Sequence, residues 1–280
     1  MLFRSLRFLV LSLGVVLQSI GWLRQRVGSG ASGRAFPSRA WERVKEPMTH
    51  LRIGGIVVCG GKSSRMGRPK LSLPIGDELM LPRVCRLLRE VVGPIVVVAA
   101  ADQEIPPLPD DIVIVRDEYP DQGPLAGIAT GLGALREQVD AAYVTSCDVP
   151  LLKPEFIRTL LESLGDYDAV VPFDGEFDHV LAAVYRVSLE AVARRLIESS
   201  RRRPLFLIQE SRSLRLPVDE LRAVDPELDS LRNLNTPDEY AAALQRINLR
   251  QQSGVVAELT TLLFVPTRLT KERWTRTRGP

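Results

Sequence analysis

Four cationic side chains fall within nine residues of one glycine-led segment, Gly60–Lys70, which reads G-G-K-S-S-R-M-G-R-P-K. Glycines let backbone N–H groups approach anionic oxygens closely. Ser63 and Ser64 add hydroxyl donors, Arg65 can fork two donors onto a terminal phosphate, and Lys70 adds a point charge. The spacing matches neither the Walker A pattern nor G-x-G-x-x-G. The segment therefore predicts a phosphate-binding loop of another type, with a basic solvated turn as the alternative.

A single carboxylate stands out later in the chain. Asp148 follows the apolar run Ala141–Cys147 directly. A carboxylate at the end of a buried strand is costly without a partner. Mg²⁺ commonly binds one or two carboxylates together with phosphate oxygens and water, so Asp148 is the candidate metal ligand. The alternative, a cap for the helix expected from Pro154, is disfavoured because six residues separate the two.

Apolar runs alternate with segments of helical periodicity, and this pattern places both candidates on an α/β scaffold. The expected strands are Ile53–Cys59, Pro94–Ala100, Ile112–Val115, Ala141–Cys147, Ala169–Pro172 and Val180–Tyr185. The expected helices are Leu81–Val92, Leu125–Leu135, Pro154–Leu164, Leu189–Ile197 and Pro237–Leu244. We predict a Rossmann-like three-layer α/β/α fold with a mostly parallel central sheet. Because ligands bind at the carboxyl ends of such strands, the glycine-led loop and Asp148 should share one edge.

The charge distribution and the cysteine and histidine content argue against several classes of function. Acidic residues outnumber basic ones in residues 48–247, whereas basic residues are in excess before and after that range. An acidic body argues against nucleic-acid binding, which needs a basic surface. The three cysteines show no metal-ligand or disulfide spacing, and two histidines make a histidine zinc site improbable. Buried reduced thiols are expected.

The first residues resemble a signal peptide or anchor, since Arg4 and Arg7 precede the apolar run Phe8–Leu17. That run is shorter than the ~20 residues a spanning helix needs. Met48 precedes the first clear strand. We interpret 1–47 as a disordered extension or misassigned start, 48–247 as the catalytic domain and 248–280 as a basic tail. A membrane-targeting segment or an amphipathic arm are the alternatives for 1–47.

The loop resembles the signature of the molybdenum cofactor guanylyltransferase family and of related cytidylyltransferases: an apolar strand, two small residues, x-S-x-R-M-G and then Lys. Four later segments are similar to the guanylyltransferase branch: G-P-L-A-G at 123–127, C-D-V-P-L at 147–151, D-H at 178–179 and N-L-N-T-P at 233–237. Val149 and Val180 replace the family's Met and Pro. The matches span residues 53–247, and the fold that this resemblance implies is that of nucleotide-diphospho-sugar transferases.

The resemblance implies the roles of individual residues. Lys70, Arg65 and Asp148 would be catalytic, with Asp148 binding Mg²⁺. The nucleotide-binding residues would be Cys59, Gly60, Gly61, Ser63, Ser64, Arg65, Lys70, Asp117, Gly123, Pro124 and Leu125. The acceptor would bind at His179, Arg202, Arg203, Asn233 and Asn235. Four of these assignments have structural alternatives. Asp117 would lie in a solvated turn and Asn235 at the start of a helix. His179 would lie at the end of a strand, and residues 201–203 would be a solvated charge run.

The implied reaction transfers GMP from GTP to the phosphate of molybdopterin cofactor, releasing pyrophosphate, in the cytoplasm. Molybdenum cofactor biosynthesis proteins or a recipient molybdoenzyme would be its protein partners, with no nucleic acid and no membrane. One departure concerns the base, because the family's Asn after the second strand is missing from Val98–Asp102. Cytidylyl transfer to molybdopterin or another phosphate ester is therefore an alternative. An inactive nucleotide-binding module and a membrane-anchored interaction protein are further alternatives.

Overall fold

The computed structural model of the chain describes residues 51–60 and 70–249. These residues all belong to one compact unit, Glu46–Pro280. The predictions for the N-terminal extension and the basic tail lie outside the described residues. So do those for four loop residues, Gly61, Ser63, Ser64 and Arg65.

Within the described ranges, nine strands form a seven-stranded sheet and a separate two-stranded hairpin. The strands are β1 (Ile53–Val58), β2 (Pro74–Ile75), β3 (Glu78–Leu79), β4 (Ile95–Ala99), β5 (Ile112–Arg116), β6 (Ala141–Ser146), β7 (Ala169–Phe173), β8 (Ala182–Arg186) and β9 (Ser213–Pro217). The large sheet has the order β5-β4-β1-β6-β8-β7-β9. Only β8 runs antiparallel to its neighbours, so the expected mostly parallel sheet is confirmed.

Helices cover both faces of this sheet. They are α1 (Met80–Arg89), α2 (Pro124–Leu135), α3 (Pro154–Glu162), α4 (Leu189–Glu198), α5 (Pro204–Gln209), α6 (Val218–Leu221) and α7 (237–249). Apolar residues of α1 and α3 pack on one face, and those of α2, α4 and α5 pack on the other. The three-layer α/β/α fold is confirmed.

Some elements differ from the expectation. The β2–β3 hairpin, β9 and α6 carry no long apolar run, and the sequence pattern did not predict them. The predicted strand Val180–Tyr185 begins only at Ala182, because the backbone N–H of Ala182 donates to His179 O across a turn. The helix predicted over Leu81–Val92 ends at Arg89, ahead of Gly93 and Pro94, which precede β4.

Helix α2 lies against β1 through glycines. A Cβ on Gly131 would meet Ile56 Cγ2 at 2.5 Å, and one on Gly127 would meet Val58 Cγ1 at 2.6 Å. Both branched side chains are buried and cannot move aside without repacking the core. These two glycines therefore let the helix approach the strand that leads into the site.

We expect Gly131→Ala to lower the free energy of unfolding by about 1–3 kcal/mol, since overpacking a filled core forces shifts. Gly133→Ala is the matched control on the same helix. Its added Cβ would lie 3.3 Å from Arg194 Nη2 and 3.6 Å from Glu190 Oε1, both at the ends of flexible side chains. Alanine also favours helix by roughly 1 kcal/mol relative to glycine. Urea denaturation of both variants tests this. Equal destabilisation of the two would contradict the close-approach account.

Candidate active site

The carboxyl ends of β1, β4, β5, β6 and β7 share one edge of the sheet, because these strands are mutually parallel. Gly60 follows β1, Asp117 follows β5, Asp148 follows β6 and His179 follows β7. The structure thus brings to one edge residues that the sequence distributes over about 120 positions. This edge is where an open α/β sheet binds its ligands.

Lys70 lies between two oxygen atoms at this edge. Its Nζ is 2.9 Å from Asp148 Oδ2 and 2.8 Å from Asn235 Oδ1. The Lys70 and Asp148 side chains are only 16% and 8% exposed, so the pair is largely shielded from water. An ammonium group held by a carboxylate and an amide oxygen shows that a cation fits here. The same two oxygen types are ligands that Mg²⁺ accepts.

Asp148 is fixed by the end of its own strand and by the segment before α7. Ser146 Oγ donates to Asp148 Oδ1 at 2.5 Å, and the backbone N–H of Leu234 donates to Asp148 O at 2.9 Å. Both carboxylate oxygens therefore have partners, and neither partner is the first turn of α3. The helix-cap alternative for Asp148 is excluded by these contacts.

A small apolar cluster holds Lys70 in place. Lys70 begins a 3₁₀ turn, Lys70–Ser72, which leads into the β2–β3 hairpin. The hairpin, the end of the Asp148 turn and α7 bury a common set of side chains, namely Leu73, Ile75, Met80, Leu151, Leu234, Ala243 and Ile247. Helix α7 is thus packed against the segment that carries Lys70, which explains how residues 165 positions apart meet.

Asn235 contributes to the site while its neighbour caps the helix. Thr236 Oγ1 accepts from the backbone N–H of Glu239, and Glu239 Oε2 accepts from the N–H groups of Thr236 and Asn235. This reciprocal pair is a capping box. The N–H of Asn235 is the main cause that lowers the pKa of Glu239. Thr236 provides the cap, so the helix-start alternative describes this segment, while the Asn235 side chain is free to accept from Lys70. A role of Asn235 toward the metal or the acceptor stays a prediction.

We expect Thr236→Ala to lower the free energy of unfolding by about 1 kcal/mol, the usual cost of a lost N-cap. Thr159→Ala is a suitable comparison, because its hydroxyl bonds the Glu155 carbonyl within a helix and caps nothing. Thermal unfolding of both variants checks the assignment. An unchanged Tm for Thr236→Ala would show that the capping box contributes no stability.

Apart from Lys70, the described residues predicted to hold the nucleotide follow the ends of β1 and β5. Gly60 is exposed at the end of β1. Cys59 is buried, and its backbone N–H donates to Val98 O at 2.8 Å. A hydrogen bond with Cys147 and burial raise the pKa of the Cys59 thiol. The buried thiol and the bonded N–H group are therefore not the parts of Cys59 that would contact a nucleotide. Contact through its carbonyl oxygen remains a prediction.

Asp117 organises the turn after β5. Its Oδ1 accepts from the N–H of Tyr119 at 2.9 Å and from Thr130 Oγ1 at 3.4 Å, and burial raises its pKa. Gly123, at φ 81°, and Pro124 open helix α2 at the same edge. The Leu125 side chain is fully buried, so its backbone is the part that could face a ligand.

The residues predicted to bind the acceptor divide into two groups. His179 Nε2 lies 3.0 Å from Asp174 Oδ2 in the turn after β7, at the edge that carries Asp148. Asn233 is exposed two residues before Asn235. Arg202 and Arg203 are exposed between α4 and α5, whereas their neighbour Arg201 pairs with Glu210. The structure does not bring the two arginines into contact with the Lys70–Asp148 pair.

Sequence reasoning missed the loop 222–232. Asp225 and Asp229 in this loop are almost completely buried, and they pair with Lys153 and Arg246 respectively. The only signal in the sequence is the segment D-P-E-L-D-S, which reads like a solvent-exposed turn. Burial that depends on distant partners could not be recognised from it.

Other site types find no support in the part of the chain that the structure describes. No group of three or more His, Cys, Asp or Glu side chains there could hold a metal ion. The expected reduced thiols are confirmed, since Cys59, Cys85 and Cys147 are free and buried. Burial raises the pKa of Cys85 to about 12. No described helix is both long enough and apolar enough to cross a membrane.

The sequence matches a known domain family. Residues 55–213 match the model of the MobA-like NTP transferase domain. A protein named probable molybdenum cofactor guanylyltransferase from Mycolicibacterium paratuberculosis is 37% identical over 201 residues, which cover 70% of this chain and 96% of that protein. Residues 55–213, which match the domain model, include the Lys70–Asp148 pair and the turn after β7.

Solved structures share the architecture. The crystal structure of molybdopterin-guanine dinucleotide biosynthesis protein A from Archaeoglobus fulgidus superposes with a TM-score of 0.57 at 25% identity, covering 70% of this chain and 98% of that chain. A 2-C-methyl-D-erythritol 4-phosphate cytidylyltransferase from Thermus thermophilus superposes with a TM-score of 0.52 at 15% identity, covering 69% and 98%. The second likeness concerns the fold alone.

Proposed function

The chain belongs to the MobA-like NTP transferase family, and we propose that it transfers GMP from GTP to the phosphate of molybdopterin cofactor, releasing pyrophosphate. The observation that carries this proposal is the contact of Lys70 with both Asp148 and Asn235. This contact supports the proposal because an ammonium group meets two oxygens of the types that Mg²⁺ accepts, close to the carboxyl ends of the parallel strands. The relatives' names supply the identity of donor and acceptor.

The proposed reaction needs little covalent chemistry from the protein. The terminal phosphate of the acceptor is already ionised near neutral pH, so it attacks the α-phosphorus of the triphosphate without a general base. Catalysis then depends on positioning and on neutralising charge. We assign Lys70 to the α-phosphate, where negative charge grows in the transition state, and Arg65 to the departing pyrophosphate. Arg65 lies outside the described residues, so its role rests on the family resemblance.

Asp148 and Asn235 are the residues that would hold Mg²⁺. When bound, Mg²⁺ would offset phosphate charge and polarise the phosphoryl oxygens. The Lys70 ammonium group now lies on both oxygens at 2.8–2.9 Å. Lys70 therefore exchanges these partners for phosphate oxygens when the triphosphate enters. Ser146 keeps the carboxylate oriented during that exchange, because its bond goes to the other oxygen of Asp148.

One observation favours a second candidate, cytidylyl transfer. The segment Val98–Asp102 lacks the family's guanine-reading Asn. In its place, Gln103 Oε1 accepts from the N–H of Ala100, and Arg116 Nη1 donates to the carbonyls of Ala100 and Gln103. The loop is thus held by other contacts. GTP remains the proposed donor, because relatives that are 35% and 37% identical to this chain are named probable molybdenum cofactor guanylyltransferases.

Pyrophosphate release, measured with each of the four nucleoside triphosphates and Mg²⁺, tests this proposal. We expect release with GTP that requires molybdopterin and is at least about tenfold faster than with CTP, since tenfold corresponds to ~1.4 kcal/mol of discrimination. Release with CTP alone would favour the cytidylyl alternative. No acceptor-dependent release with any nucleotide would favour an inactive nucleotide-binding module.

We assign this activity to residues 48–247, which contain every motif used above, and we expect the protein to act in the cytoplasm, where GTP is available. Every strand that the structure describes begins at or after Ile53. The roles of 1–47 and 248–280 stay predictions.

A further inference from the structure

A cavity of about 310 Å³ lies between the turn after β7 and the loop 222–232. Its lining combines three apolar side chains with five charged or titratable ones and a proline. The apolar residues are Val218, Leu228 and Leu231. The others are Asp174, His179, Arg222, Pro226, Glu227 and Arg232. The size falls within the range of small-molecule sites, which are concave and apolar with a few placed polar groups.

The loop that forms this cavity is held rigidly. Asp225 is fully buried, and its carboxylate lies 2.7 Å from Lys153 Nζ and accepts from the N–H of Ser230 at 2.8 Å. Asp229 is 1% exposed and pairs with Arg246 of α7. Buried carboxylates with such partners fix a backbone strongly, because breaking either pair leaves an uncompensated charge. A cavity made by a fixed loop binds ligand with little ordering cost.

One lining residue adopts an unfavourable backbone conformation. Leu228 has φ 50° and ψ 40°, in the left-handed region. A branched, bulky residue rarely adopts this conformation, and such strain often marks a functional position. Leu228 lines the cavity together with Leu231.

The cavity lies on the acceptor's side of the reacting centre. Arg232 precedes Asn235 by three residues, which span at most roughly 11 Å. In the sheet, β6 and β8 separate β7 from β1, so the end of β7 beside the cavity is roughly 14 Å from the end of β1, given strand spacings of ~4.8 Å. The ends of β1 and β5, where the nucleotide is expected to bind, lie on the other side of β6 from this cavity. The position therefore suits a group joined to the acceptor phosphate through a short linker better than it suits the donor base.

We propose that this cavity binds the flat 2-amino-4-oxopyrimidine ring of a pterin-type acceptor, an inference that rests on the proposed function. Leu228 and Leu231 provide an apolar surface for one ring face. Glu227 accepts from the ring's amino and N–H donors, as carboxylates do from nucleobase edges. Its present ion pairs are long, 3.8 Å to Arg232 and 3.9 Å to Arg246.

The two arginines suit ring stacking better than phosphate binding. Arg222 Nη1 donates to Pro226 O at 2.9 Å, and Arg232 Nη2 donates to Glu227 O at 3.1 Å. Backbone carbonyls thus hold both guanidinium groups, whose planar faces stack on aromatic rings. Asp174 is already committed to its turn, where it accepts from the N–H groups of Glu176 and Phe177. Glu227 is therefore the carboxylate that accepts hydrogen bonds from the edge of the ring.

Quenching of the intrinsic fluorescence of 6-hydroxymethylpterin, titrated with the full chain, tests the site without catalysis. This probe has the ring but no phosphate. We expect saturable binding that Glu227→Gln weakens about tenfold, whereas Glu220→Gln, on α6 and outside the cavity lining, leaves it unchanged. Lys70→Ala should also leave it unchanged. Guanosine, which shares the ring edge, should compete only weakly if the site belongs to the acceptor.

Steady-state kinetics separates this inference from the proposed function. We expect Glu227→Gln to raise the KM for molybdopterin about tenfold, with kcat and the KM for GTP near their original values. Wild-type GMP transfer with no effect of Glu227→Gln on pterin binding or KM would overturn the cavity assignment and leave the function intact. Strong competition by guanosine would assign the cavity to the donor base instead. Absence of transfer together with intact pterin binding would overturn the function alone.

Discussion

Asp148→Asn should lower kcat by about 10²–10³ and leave the fold unchanged. The loss has the size observed when one preorganised electrostatic group is removed from a transition state. Asn keeps the shape of the side chain and can still bond Ser146 and Lys70, so folding is preserved while the charge that would bind Mg²⁺ is gone. Initial rates across a Mg²⁺ titration, together with circular dichroism, measure both effects.

Asp166→Asn is the matched control, because Asp166 is exposed in the turn after α3, away from the ligand-binding edge. We expect its rate to equal that of the unmodified protein at every Mg²⁺ concentration. If Asp148→Asn were also near normal across the titration, the metal assignment would be wrong. A rate restored at high Mg²⁺ would instead indicate that Asp148 contributes affinity for the metal more than catalysis.

Lys70→Ala should reduce kcat by about 10²–10³ with a much smaller change in the KM for GTP. The reason is that the Lys70 charge matters most where the transition state gathers negative charge, not in the ground state. Lys70→Arg should recover part of the loss, since it keeps the charge but not the compact ammonium geometry. Single-turnover rates at saturating GTP report the chemical step directly.

Arg158→Ala controls for the removal of a cation, because Arg158 lies on the exposed side of α3 and pairs with Glu155. Its kcat and KM should not change. A Lys70→Ala variant with unchanged kcat and a raised KM would remove Lys70 from the transition state and make it a ground-state binding residue.

The sequence predicts the sheet well because its strands are continuous apolar runs. β1 and β6, for example, are buried along almost their whole length, as parallel strands between two helical layers must be. The sequence pattern does not predict β9, because its five residues, S-L-R-L-P, are half exposed and form no continuous apolar run. The β2–β3 hairpin has two residues in each strand, too few for any periodicity to register.

The site is predictable only in part. Asp148 is recognisable from its place after a buried strand, but its contact with Lys70 bridges 78 residues and that of Lys70 with Asn235 bridges 165. The α/β pattern predicts that Lys70 and Asp148 share one edge of the sheet, and the family resemblance adds Asn235 to the site. Spacing alone cannot show that these side chains are in contact. Of the residues that line the cavity, the sequence indicated only His179 as an acceptor-binding candidate. The rigidity of the cavity comes from the burial of Asp225 and Asp229, and local sequence does not distinguish buried carboxylates from solvated ones.

Mass spectrometry of the product formed from GTP, Mg²⁺ and molybdopterin by the full-length protein tests the central claim most directly. We predict a molybdopterin guanine dinucleotide, formed in equal amount with pyrophosphate and absent with Asp148→Asn. A cytosine dinucleotide formed in preference from mixed triphosphates, or pyrophosphate with no dinucleotide, would contradict the claim.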